Sequence, residues 1–171
     1  MSSALDRKNE DLRVSRSHKP SWEELSEMTA SEYLKKYYNI VLPPKIAEFW
    51  NGAAYIEENG EIVFENPDQE PISGYWDNSN KTPYFDYELE KYLSWYLFDN
   101  DPRYGIIPCR PGMVCEINED GHGYLEFEVY DRENREYLFV GRVIGHASWK
   151  EEGDETFVEF VPIAIALEPL S

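Results

Sequence analysis

Leu125, Phe127 and Val129 alternate with Glu126, Glu128 and Tyr130, a period of two that predicts a strand with one buried face and one wet face. Residues 113–117, 137–149 and 156–167 are strand-like as well. Charged turns at 131–135 and 151–154 separate the last three of these stretches. Consecutive strands joined by short polar turns predict an antiparallel meander in the final third of the chain.

The first 100 residues follow a helical rhythm. Ser21-Trp22-Glu23-Glu24 and Thr29-Ala30-Ser31-Glu32 both have the form of a capping box, and each starts a short helix. The second runs through Tyr33, Leu34 and Tyr37 towards Tyr38, and Pro43-Pro44 interrupts it. Residues 45–50 form a further helical turn, on which Ile46, Phe49 and Trp50 face the core. Asn51-Gly52 and Asn59-Gly60 are turn signals flanking a predicted hairpin over 53–65. A polar loop with Pro67, Pro71 and Gly74 follows. The strongest helix covers 86–98, with acids in its first turn and Leu89, Tyr92, Leu93, Tyr96 and Leu97 on one face. The expected fold class is therefore α+β, with helices mainly in the first 100 residues packed on a C-terminal antiparallel sheet.

Charge divides the chain in two. Acids outnumber bases by 34 to 16 over the 171 residues, a net charge of −18. Residues 1–20 hold five bases against three acids, so the remaining 151 residues carry −20. The first 20 residues read as a flexible basic arm, poor in large apolar side chains, and 21–171 as a single acidic domain. Aromatic residues make up 15% of the chain, enough with the aliphatics to build a real core. No apolar run is long enough to span a bilayer, and the N-terminus lacks a signal-peptide core, so the expected compartment is the cytoplasm, or the nucleus in a eukaryote. Phosphates and anionic membranes repel so acidic a body. The partner it suits is a protein with a basic surface.

Motifs for catalysis are sparse. No nucleophile elbow, phosphate-binding loop or tight metal-ligand pair is present. Cys109 and Cys115 are more readily two thiols than a disulfide, and a zinc site from Cys109, Cys115, His122 and His146 lacks recognisable spacing. His146, on a strand beside Ser148, is the one candidate general base, although a hydrogen-bonded sheet histidine is the commoner role. Arg142 in the same strand is expected to pair with a carboxylate across the sheet. Aromatics such as Tyr75-Trp76, Tyr84-Phe85 and Trp95-Tyr96 mostly belong to a core, with those near 75–85 available to line a protein interface.

Residues 42–52, Leu-Pro-Pro-Lys-Ile-Ala-Glu-Phe-Trp-Asn-Gly, resemble the "LP…F…NG" element of the SUKH family of immunity proteins. The resemblance covers eleven residues, and the strand-rich end from 124 to 167 finishes differently from that family. It implies a protein that neutralises a toxin, often a nuclease, by protein–protein contact. The residues themselves lead to a compatible expectation: a non-enzymatic, acidic protein that occupies a basic, nucleic-acid-binding surface of a partner, as a nucleic-acid-mimicking inhibitor or an immunity protein. The acids expected to make contact are Glu57, Glu58, Asp68, Glu70, Glu116, Glu119, Asp120, Glu151, Glu152, Asp154 and Glu155. No cofactor and no metal is expected. The alternatives are a small enzyme or ligand-binding protein using a pocket at His146 with a carboxylate, and a structural subunit of a larger assembly.

Overall fold

The helix starts follow from side chains that satisfy otherwise orphaned N–H groups. In the structure, a computed structural model describing residues 20–68, 70–77, 79, 82–109 and 119–170, Ser21 caps helix α1 (Trp22–Ser26) by accepting from the Glu24 N–H at 3.2 Å. Thr29 and Glu32 cap helix α2 (Ala30–Tyr38) reciprocally, the capping box the sequence predicts. Pro44 opens helix α3 (Pro44–Ala53), where its missing N–H removes nothing the helix uses. Helix α4 (Asp86–Phe98) has the predicted bounds and ends at Asp99 in the left-handed region, φ 51°. Asn51-Gly52, expected as a turn, instead lies inside the last turn of α3. The Asn51 side-chain oxygen accepts from the Ser31 N–H at 2.9 Å, so this residue serves the first turn of α2.

Among the described residues, eight strands form one sheet: β1 (Ala54–Ile56), β2 (Ile62–Glu65), β3 (Ile72–Asp77), β4 (Thr82–Tyr84), β5 (Tyr104–Pro108), β6 (His122–Asp131), β7 (Glu136–Glu152) and β8 (Glu155–Pro169). Every pairing is antiparallel. Strands β6, β7 and β8 make three strands of the predicted meander, and β5 adds to it in the spatial order β5-β6-β7-β8. The other edge of β8 is shared: β2 pairs with 164–167 and β3 with 157–160, and β4 completes a hairpin with β3. A bulge separates the two partners, since Ile144 faces Ala164 while Gly145 faces Pro162. That bulge accommodates a proline inside a long strand. Strand β3 starts inside the predicted polar loop of Pro67, Pro71 and Gly74, and β4 and β5 are further strands not predicted. The predicted strand over 113–117 lies outside the described residues, as do residues 1–19 of the basic arm.

The helices cover one face of the sheet. Their buried residues, including Leu34, Trp50, Leu93 and Phe98, share one core with the inward side chains Phe64, Phe127, Phe139, Val143 and Ile165. Gly141 stands between Phe127 on β6 and Leu167 on β8, whose side chains close over it. A Cβ at Gly141 would collide with the Phe127 ring and lie 2.8 Å from Leu167. Among the described residues, Asp131 is the buried charged side chain, 1% exposed. Its carboxylate accepts two hydrogen bonds from the Arg103 guanidinium, both at 3.0 Å, and others from Asn134 and the Glu133 N–H. Burial pushes this carboxyl up, but the Arg103 and backbone hydrogen bonds outweigh burial and hold it below its usual range.

Candidate binding groove

Amphipathic helices carry polar residues opposite the core, and the residues at the edge of the apolar stripe decide what the surface offers. On α3, Ile46 and Trp50 point inward, whereas Phe49 sits at the stripe's edge on the same side as Lys45. The sequence expectation that Phe49 faces the core is corrected: it remains 40% exposed. Its ring lies edge-on to Tyr96, centroids 5.4 Å apart, and stacks towards Phe64 at 6.3 Å. On α4, Glu88, Tyr92, Trp95 and Asp99 follow one another at spacings of four, three and four, which sets them along one flank. Trp95 keeps 42% of its surface exposed.

These two helix edges face each other across a groove of about 420 Å³. Ile46 and Leu97 form apolar lining, Phe49, Trp95 and Tyr96 supply aromatic surface, and Lys45, Asp68 and Asp99 supply charge. Trp50 fixes the spacing between the helices, donating its indole N–H to the Leu97 carbonyl oxygen at 2.8 Å. Asp68 reaches the groove because the Tyr92 hydroxyl donates to its carbonyl oxygen at 2.7 Å, pinning the loop after β2 against α4. Burial pushes the Tyr92 phenol up, so the hydroxyl stays a donor. Lys45 holds Asp99 at 2.7 Å, and the carboxylate's hydrogen bond raises the ammonium above its ordinary value.

The groove continues along α4. Trp95 also lines a second depression of about 210 Å³ with Ile72, Glu70, Glu88 and Lys91. Glu88 in turn borders a third, of about 310 Å³, between Tyr75, Tyr84 and Tyr87. Tyr75 and Tyr87 are 64% and 71% exposed, and Tyr75 stacks on Tyr84 with centroids 5.5 Å apart. Exposed aromatics and carboxylates therefore line three depressions that border α4, with Lys45 and Lys91 among them. Their chemistry suits the capture of cationic and apolar groups together.

The eleven acids singled out from the sequence fall in separate places. Glu57 and Glu58 lie in the β1–β2 turn, where Glu57 accepts from the Tyr55 hydroxyl at 3.1 Å. Glu151, Glu152, Asp154 and Glu155 are exposed at the β7–β8 hairpin tip, at the other end of the sheet. Eleven β7 residues separate the tip from the row at Gly141, roughly 35 Å at strand rise. Glu119 and Asp120 precede β6 beside Ala147, whose N–H donates to Gly121. Of the described acids among the eleven, Asp68 and Glu70 border the groove system. Glu116 lies outside the described residues.

His146 is half-buried on β7 and directly opposite His122 on β6, with ring centroids 5.2 Å apart. The structure thus brings two of the four zinc candidates together. Cys109 instead lies beyond β5, its N–H donating to Glu126, and Cys115 is outside the described residues. Among the described residues no group of three or more His, Cys, Asp or Glu could hold a metal. Arg142 meets the Glu61 carboxylate at 3.4 Å, an ion pair across the sheet of the predicted kind.

The fold is that of an α+β protein with one helical layer on an antiparallel sheet. No protein-family model matches the chain, and neither a curated protein nor a solved structure does. The likeness of residues 42–52 to the SUKH element remains confined to those eleven residues. Lys45, Phe49 and Asp99 of the groove were not among the residues chosen from the sequence. Among the described residues no helix is long and apolar enough to cross a membrane.

Proposed function

We propose that this chain is a non-enzymatic binding protein that occupies a basic surface of another protein, such as the nucleic-acid-binding face of an enzyme. The observation that carries this reading is the set of exposed aromatics with carboxylates beside them in the depressions bordering α4: Phe49 on α3, Trp95 and Tyr87 on α4, and Tyr75 on β3. The net charge of −18 steers a basic partner towards the chain, and the aromatic surface supplies contacts that survive once water is excluded. Dispersed over both ends of the sheet, the remaining acids suit long-range attraction better than a continuous imitation of a phosphate backbone. An inhibitor of a nuclease or an immunity protein is the form this activity would take, acting in the cytoplasm or nucleus.

The test is an affinity pull-down on the whole chain, eluted by a salt gradient, followed by kinetic measurement on the partner captured. The reading expects a protein with a basic surface whose association rate falls steeply with ionic strength. Association that does not change with salt, or capture of no protein over a charge-matched control, overturns it.

A further inference from the structure

We infer that the groove between α3 and α4 is the anchor pocket of this interface, and that it takes an arginine or lysine side chain with its apolar neighbour from a segment of the partner. The inference rests on the binding reading above and names the occupant. A volume of about 420 Å³ accepts a long side chain and part of the residue beside it. The apolar lining, Ile46 and Leu97, suits the methylene stem and the neighbour. Trp95 and Phe49 line the groove with partly exposed rings that attract a cation, and Asp68 and Asp99 supply carboxylates.

Lys45 sits on Asp99 at 2.7 Å, yet its side chain is 82% exposed, so a cation from outside can replace it without opening the core. Arginine is the better replacement, because its planar guanidinium can stack on an indole while it forks onto a carboxylate. With two carboxylates against one ammonium, the pocket disfavours an anion. A second copy of the chain would bring another −18 to the same face, so self-association works against charge.

The experiment titrates the whole chain with a short amidated peptide of alternating arginine and leucine, and with the same peptide carrying uncharged citrulline for arginine. NMR follows the indole N–H of Trp95. The arginine peptide is expected to shift that signal and to bind about tenfold or more tightly than the citrulline form. Trp95→Ala and Asp99→Asn are each expected to weaken binding by a similar factor. Trp95→Phe, which keeps a ring for packing, should lose less, and circular dichroism checks that every variant folds. Reversing Glu151 and Glu155 to lysine should leave the Trp95 shift in place. If the arginine peptide binds without moving Trp95, and binding is lost in the Glu151 and Glu155 reversals, the groove inference falls while the binding reading stands. Failure of the peptide to bind anywhere overturns the groove inference, while the pull-down above decides the binding reading. Sedimentation showing a dimer that Trp95→Ala dissociates would overturn the inference in favour of a second copy as occupant.

Discussion

The indole N–H of Trp50 and the carbonyl oxygen of Leu97 are 2.8 Å apart, so a single buried hydrogen bond joins the middle of α3 to the last turn of α4. The ring itself packs against Phe64, Phe98 and Phe139. Helix α3 is thereby seated on both the sheet and its neighbouring helix. The groove exists because Phe49, next to Trp50, and Lys45, one turn before Phe49, are held outside that core.

Trp50→Phe keeps most of the ring but leaves the Leu97 carbonyl without its donor. The expected cost is about 1–3 kcal/mol. Urea unfolding should show a lower midpoint with an unchanged slope. Phe49→Ala, at the exposed edge, should shift the midpoint less while weakening partner binding. Equal midpoints for wild type and Trp50→Phe would refute the role assigned to this bond.

Asp131 predicts how the protein responds to acid. Its folded carboxyl is held below the usual range, while an unfolded aspartate titrates near pH 4, about 3.9. The unfolded state therefore takes up the proton first, and the Arg103–Asp131 contribution is fully present above about pH 4. It is lost as pH falls further, through the folded value. Asp131→Asn should cost about 1–3 kcal/mol near neutrality, because Arg103 and the Glu133 and Asn134 N–H groups lose a charged acceptor while Arg103 keeps Glu133 at 3.5 Å. The gap in melting temperature between wild type and Asp131→Asn should narrow only in acid below that point. A gap that widens there instead would sink the assignment.

Gly141→Ala tests the cross-strand row Phe127–Gly141–Leu167. The added methyl would meet the Phe127 ring in a packed core, and overpacking of this kind costs about 1–3 kcal/mol. Combining it with Phe127→Leu should recover part of the loss, since the two substitutions share one space. Thermal unfolding of the two single variants and the double variant measures the coupling.

Tyr104 offers a change in the opposite direction. Its hydroxyl is buried and, among the described residues, has no hydrogen-bond partner, while its ring stacks on Phe98 with centroids 4.4 Å apart. Tyr104→Phe keeps the stack and removes the polar atom, so stability should rise by about 1 kcal/mol. A fall in the unfolding midpoint would show that the hydroxyl is satisfied in solution.

Much of the architecture was legible in local patterns. Thr29 with Glu32 marked the start of α2, the apolar face of 86–98 marked α4, and the alternation at 125–130 marked β6. These elements announce themselves because their signals lie within a few residues of one another. Strands β3 and β4 did not, since the partner that makes β3 a strand is β8, more than 80 residues later, and the segment itself is rich in turn formers. Asn51-Gly52 carried a turn signal that tertiary packing overrode, because Trp50 anchors α3 and Asn51 caps the neighbouring helix.

Of the candidate groove, only Asp68 was chosen from the sequence, and Trp95-Tyr96 was assigned mostly to a core. The spacing of Glu88, Tyr92, Trp95 and Asp99 sets a mixed aromatic and acidic flank on one helix. Nothing in that spacing says that Lys45, Phe49 and Asp68 stand against it, because those contacts depend on how two helices and a loop dock.

By itself, then, the sequence determined the charge of this protein, its class of elements and the faces those elements present. Each of these is set by composition or by a period of a few residues. Tertiary structure alone decided which faces meet: that β8 is shared by β2 and β3, that the chosen acids divide between the ends of the sheet, and that two helix edges frame a groove. Those relationships rest on contacts between residues far apart in the chain, such as Trp50 with Leu97 and Arg142 with Glu61, and no local pattern records them.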